Sequence, residues 1–223
     1  MLRGALHAHR ALLRPSRARA LSTVRFLPST ACRQLALPLA FLAVKGWDSH
    51  GLQGWDDWLP RFSQRGYSSL LVEVDPATVP PQDTAAGTLA ALEQELVRLL
   101  RDPAHSSPFP PLLFAHSSAS LLAETYVSSH PLSGLCLVSP LPAPLAQQQL
   151  PDALKTGLEE FNYEPGFPIA VVEQEGRKGG EEHRLLREFA DEEDEDALVR
   201  LIKGKRDAGT FARVQEWMDE NGL

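Results

Sequence analysis

One stretch limits the folds open to this chain more than any other. From Pro110 it runs through Leu112, Leu113 and Phe114 to Ala115-His116-Ser117-Ser118-Ala119, then on through Leu121 and Leu122 to Tyr126. The order is a short apolar run, an abrupt turn holding serines, and a helical segment. A sharp strand-to-helix turn lifts a serine hydroxyl clear of a sheet and sets the next backbone N–H beside a reacting carbonyl. The usual pattern at such a turn is Gly-x-Ser-x-Gly, and here alanines, Ala115 and Ala119, stand at both glycine positions.

The surrounding sequence has the rhythm of an α/β fold, a mostly parallel β-sheet flanked by helices. Apolar runs predict strands at 39–44, 68–74, 111–114, 134–138, 169–172 and 198–202, with a further edge strand at 23–27. Nearly continuous apolar character suits strands covered on both faces. Leu89, Leu92, Leu96, Val97 and Leu100 recur at helical spacing after Asp83-Thr84, which predicts a long helix. Other helices are expected from Asp56 to Arg65 with Gly66 as its stop, from Ser118 to Ser129, and from Thr210 to Asn221. Between Pro140 and Pro168 a proline-rich region with a short helical piece at 153–161 is expected to form a minimal lid.

Charge is distributed unevenly. The first 47 residues carry no acid, Asp48 being the first, and residues 1–22 hold five arginines among leucines and alanines. That is the composition of a mitochondrial transit peptide, giving an expected division into a leader at 1–22, a linker or edge strand at 23–36 and one domain at 37–223. A basic arm for nucleic acid or anionic lipid is the competing reading of the same residues. The full chain has a net charge of −7, more negative still without the leader, so its body is expected to repel nucleic acid. The longest apolar run, 35–44, is broken by Pro38 and falls short of the roughly 18 residues a membrane span needs. Two cysteines, Cys32 and Cys136, make neither a disulfide framework nor a thiolate metal site, and no histidine pair has zinc-ligand spacing. The acidic run 191–196 reads as a solvated surface segment. No metal or cofactor is expected.

Several patterns, in order, resemble the α/β-hydrolase fold superfamily over most of residues 37–223. They are Phe41-Leu42-Ala43-Val44-Lys45-Gly46-Trp47, then Arg65-Gly66-Tyr67 leading into an apolar run that ends at Asp75, then the serine turn, Leu137-Val138-Ser139-Pro140, and the segment from Trp217 to Leu223. The resemblance implies Ser117 as nucleophile, with the backbone N–H groups of Ser118 and Trp47 as oxyanion donors. It also implies an acid after strand 169–172, where Glu173 and Glu175 are available, and a histidine after the last strand. No histidine lies beyond His183, which can serve only if its segment folds back over the turn. His50 sits in the loop after Trp47, His116 is expected to pack beneath the turn, and His105 and His130 read as surface residues.

Two functional readings follow. Without a base a serine hydroxyl is a poor nucleophile at neutral pH, which favours a catalytically impaired hydrolase-fold protein of the mitochondrial matrix that binds a protein partner. The alternative is a serine hydrolase, an esterase or thioesterase acting on a small acyl substrate through Ser117, His183 and Glu175.

Overall fold

The computed structural model describes residues 21–105, 107–173, 182–190 and 197–223. Most of the expected leader, the acidic run 191–196 and Glu175 lie outside the described residues.

Seven strands form one sheet. They are β1 (Thr23–Leu27), β2 (Leu39–Val44), β3 (Ser69–Val74), β4 (Leu112–His116), β5 (Gly134–Val138), β6 (Ile169–Glu173) and β7 (Val199–Lys203), ordered β1-β3-β2-β4-β5-β6-β7. Only β1 is antiparallel, pairing with β3; the other pairs are parallel. The helices are α1 (Leu59–Gln64), α2 (Ala85–Leu100), α3 (Ala119–Val127), α4 (Ala143–Gln149), α5 (Arg184–Phe189) and α6 (Ala208–Glu220).

Strand side chains alternate between faces, so a fully buried strand feeds two cores at once. In β2, Ala40, Leu42 and Val44 enter one core with Leu92 and Leu96 of α2, Leu122 of α3 and Leu185 of α5. Leu39 and Phe41 enter the other with Trp55, Trp58, Phe62, Phe211 and Trp217. Phe114 of β4 stacks on Phe41 at 4.7 Å and meets Phe62 at 5.3 Å, so the floor beneath the serine turn is a packed aromatic layer. Aromatic contacts of this kind add about 0.5–1.5 kcal/mol each beyond burial.

Local signals account for most element ends. Thr84 accepts from the Gly87 N–H and caps α2, and Asp207 accepts from the Thr210 N–H and caps α6. Gly66 follows α1 at φ +107°, and a Cβ there would stand 2.7 Å from the Arg33 carbonyl, so glycine is required twice over.

The lid departs from expectation. Residues 153–161 hold no helix; the helix lies earlier, at Ala143–Gln149. Pro144 falls in its first turn, where the missing N–H is harmless and the fixed φ favours helix, whereas Gly157 and the adjacent carboxylates Glu159-Glu160 weaken the later segment. Leu141, Ala146 and Leu154 anchor this region on Ala85, Leu89 and Leu121. No helix among the described residues is long and apolar enough to cross a membrane.

Candidate active site

Parallel strands deliver their carboxyl ends to one rim of the sheet, and the serine turn stands there. β4 ends at His116, paired with Val138, and the next N–H, that of Ser117, donates to the Val138 carbonyl at 2.9 Å. Ser117 then turns sharply at φ +52° and α3 begins two residues later. For a non-glycine residue this left-handed conformation costs about 1–2 kcal/mol and persists only where the surroundings hold it. Here they do. Ser120 Oγ donates to the Ser117 carbonyl at 2.6 Å and accepts from the Leu141 N–H, tying turn, helix and lid together. Ala115 and Ala119 are 0% and 1% exposed in the core below, so methyl groups replace both glycines without loss of the turn. Ser139 repeats the geometry at the end of β5, at φ +49°.

The expected oxyanion donors are arranged unequally. The Ser118 N–H makes no hydrogen bond among the described residues, as an anion donor requires. The Trp47 N–H is committed instead to the Val44 carbonyl at 3.1 Å, closing the Lys45-Gly46 turn in which Gly46 has φ +79°. The Trp47 carbonyl faces the serine turn and accepts the Ser118 hydroxyl at 2.8 Å. In this conformation Trp47 is a fastening for the loop rather than an oxyanion donor.

The bases are placed elsewhere. His183 caps α5: its Nδ1 accepts from the Leu185 N–H, and its Nε2 lies 3.0 Å from Glu124 Oε1 on α3. Both side chains are nearly buried, and both ring nitrogens are occupied. Burial pushes the Glu124 carboxyl above the usual range, and His183 draws it only part of the way back. The segment carrying His183 folds back over α3, but to Glu124 and not to Ser117. Glu175, the expected acid, lies outside the described residues.

His116 meets Asp48. Its Nδ1 stands 2.6 Å from Asp48 Oδ2, while Asp48 Oδ1 accepts from the His50 N–H at 2.9 Å. Burial pushes the Asp48 carboxyl up, but these two hydrogen bonds and the charges of His116 and Arg206 outweigh it and hold the carboxyl below its ordinary value. An ionised Asp48 accepts from Nδ1–H, and the His116 Nε2 makes no hydrogen bond with any described residue. His50 is exposed, whereas His105 and His130, read from sequence as surface residues, are only 18% and 22% exposed beside Asp102 and Glu93. The Ser117 hydroxyl forms no hydrogen bond with any described residue.

Asp48 and Arg206 are the site residues that the sequence did not mark. Arg206 follows β7, where a histidine was sought, and lays its guanidinium over the Trp55 ring at 5.3 Å. It fits because residue 54 is glycine: a Cβ there would meet the guanidinium. No local sequence signal marks Asp48: it reaches His116 because β2 and β4 are neighbours in the parallel sheet, an adjacency neither segment carries by itself.

No protein-family model matches the chain, and no curated protein matches it in sequence. Solved structures do match its architecture. An α/β-hydrolase enzyme from the metagenome of Mar Chica lagoon sediments, Morocco, superposes with a TM-score of 0.64 at 12% identity, covering 91% of this chain and 96% of that one. A soluble variant of monoglyceride lipase from Saccharomyces cerevisiae, in complex with a substrate analogue, gives 0.59 at 12%, covering 90% and 92%. Esterase Est2 of Thermogutta terrifontis, propionate bound, gives 0.58 at 12%, covering 90% of each. The chain has the α/β-hydrolase fold, a mostly parallel seven-stranded sheet with helices on both faces and a serine on the strand-to-helix turn.

Proposed function

We propose that this chain is a mitochondrial α/β-hydrolase-fold protein whose serine is not activated and which acts as a binding or assembly module for a protein partner. The observation that carries the reading is the disposition of the histidines. All five beyond residue 20 are described, and none hydrogen-bonds to Ser117; the two most deeply placed, His116 and His183, are held by Asp48 and Glu124. The closed Trp47 turn supports the same reading, since an oxyanion donor is worth about 3 kcal/mol of transition-state stabilisation. The acid-free, arginine-rich leader supports mitochondrial import, into the matrix.

The alternative is a serine hydrolase of esterase or thioesterase type acting on a small acyl substrate with a non-standard base. It draws on one observation: Asp48 orients the imidazole of the residue adjoining Ser117, whose Nε2 holds no partner among the described residues, and Ser117 keeps its strained turn. A fluorophosphonate probe separates the two. The proposal expects no labelling that depends on Ser117. Labelling of the wild type that vanishes in both Ser117→Ala and His116→Asn would establish the alternative. Import of the radiolabelled full chain into isolated mitochondria, with removal of about the first 22 residues, tests the location; a chain left outside and uncut rejects it.

A further inference from the structure

Leu21 and Ser22, the residues just before β1, are fixed by polar contacts rather than by burial. The Leu21 side chain is 61% exposed, yet its backbone N–H donates to the Asp75 carboxyl. Ser22 Oγ accepts from the Asp75 N–H at 3.1 Å and lies 3.2 Å from Thr78 Oγ1, which itself donates to the Asp75 carbonyl at 2.7 Å. Asp75 follows the end of β3, and Thr23 pairs with Glu73 of that strand, so these contacts fasten the leading end of the antiparallel edge strand.

Asp75 is a nearly buried carboxylate on which donors converge. Lys45 Nζ stands 2.8 Å from Oδ2, the Ala77 N–H donates to Oδ1 at 2.9 Å, and the Leu21 N–H completes the set. Burial pushes the carboxyl up, but Lys45 and the two backbone donors outweigh it and hold the group below its ordinary value. Nearby, Arg98 and then the Ser22 hydroxyl hold the Glu95 carboxyl of α2 low as well. The Leu21 nitrogen therefore sits where a cation is favoured, two positions past Arg19, the last arginine of the expected leader.

We propose that the leader is removed at the Ala20–Leu21 bond, and that the α-ammonium so made on Leu21 binds the Asp75 carboxylate and locks β1 to the edge of the sheet. The assignment rests on the import reading above and names the bond cut and the group that receives the new terminus. Hydrolysis by a leader-removing protease consumes one water: the C–N bond breaks, Ala20 leaves as a carboxylate, and the Leu21 nitrogen gains two protons. A neutral N–H is thus exchanged for a cation with three donors at a contact that already exists, so the main chain need not move. Charge-assisted bonds of this kind are shorter and stronger than neutral ones. A cut after Ser22 discards the hydroxyl that joins Asp75 to Thr78, which places the junction before Leu21 rather than at the end of the basic composition.

The test uses the full chain with residues 15–20 replaced by the recognition sequence of a viral cysteine protease, so that cutting exposes Leu21 as the first residue. Urea unfolding before and after cutting at pH 7 is expected to show the folding equilibrium constant rising about threefold, as for a partly exposed ion pair. The charged groups facing the new amine are Asp75, its partner Lys45 with Glu73 beyond it, and Glu95 with Arg98. Asp75 raises the Lys45 pKa above its ordinary 10.5 and the carboxylates are ionised by neutral pH, so only the α-amino group titrates between pH 7 and pH 10. Its folded pKa is raised above the unfolded value of about 7.7–8.0, so the gain is complete at pH 7 and lost by pH 10. Asp75→Asn is expected to abolish the gain, and Lys45→Met to enlarge it by removing the competing cation. No gain in the wild type, an equal gain in Asp75→Asn, no enlargement in Lys45→Met, or a gain that persists at pH 10 overturns the proposal. N-terminal sequencing of the imported wild-type chain is expected to begin at Leu21, and any other first residue overturns the assigned bond. A chain left outside mitochondria rejects the import reading instead, and the urea measurement on the purified chain is read independently of it.

Discussion

His116 and Asp48 lie 68 positions apart in sequence, yet their side chains meet at 2.6 Å on the sheet rim, one from the end of β4 and the other from the turn after β2. Asp48 is also the anchor for the His50 N–H, so its loss strips two donors of their acceptor. We expect Asp48→Ala to destabilise the fold by about 3 kcal/mol, as removal of one partner from a largely buried pair does. Urea unfolding at pH 7 measures it.

The same pair sets an acid limb. The folded carboxyl of Asp48 lies below its ordinary value, so its contribution to stability is complete above the unfolded pKa, about 3.9, and is lost as pH falls through the folded one. The stability gap between wild type and Asp48→Asn is expected to hold from pH 7 to pH 5 and to shrink below pH 4. A gap that widens in acid rejects this account.

Glu124 and His183 make the opposite argument, because both are buried together. Glu124→Ala leaves an imidazole nitrogen without its partner and is expected to cost about 3–5 kcal/mol, whereas Glu124→Leu/His183→Leu removes both buried partners and, with only the Leu185 N–H cap of α5 lost, recovers part of that loss. Chemical denaturation of the single and double variants decides the matter; equal losses reject it.

Ser117 supplies a conformational test. Its hydroxyl holds no hydrogen bond among the described residues, while its backbone sits at φ +52°. Ser117→Gly is therefore expected to be more stable than Ser117→Ala by about 1 kcal/mol, read from denaturation midpoints.

The thiols should separate cleanly. Burial pushes the Cys136 thiol well above its ordinary range, whereas Cys32 is exposed. A maleimide is expected to modify Cys32 alone in the native protein and both thiols in denaturant, which intact-mass spectrometry resolves.

Most of the sheet was legible from sequence because parallel strands buried on both faces leave unbroken apolar runs. β2 and β5 have the expected limits, and the remaining parallel strands shift by at most two residues at an end. The helix start at Thr84 and the stop at Gly66 were legible for the same local reasons. The lid was not. Its helix begins at a proline pair that resembles a turn, and the following segment, broken by Gly157, packs Leu154 and Leu158 on α2 and α3 without forming a helix. The pairs Asp48-His116 and Glu124-His183 were illegible because they depend on strand order and on the path of the chain between β6 and β7. Alanine in place of each elbow glycine hid nothing: the turn is set by Ser117 and its braces, whatever the flanking methyl groups.

The two neighbours of Ser117 grip consecutive residues of one loop, His116 holding the Asp48 carboxylate and Ser118 the Trp47 carbonyl. A strap fixed at adjacent points on both sides of the serine has no hinge between them. The loop and the elbow therefore move as a single piece, and whatever gains or loses access to Ser117 does so through motion elsewhere on the rim.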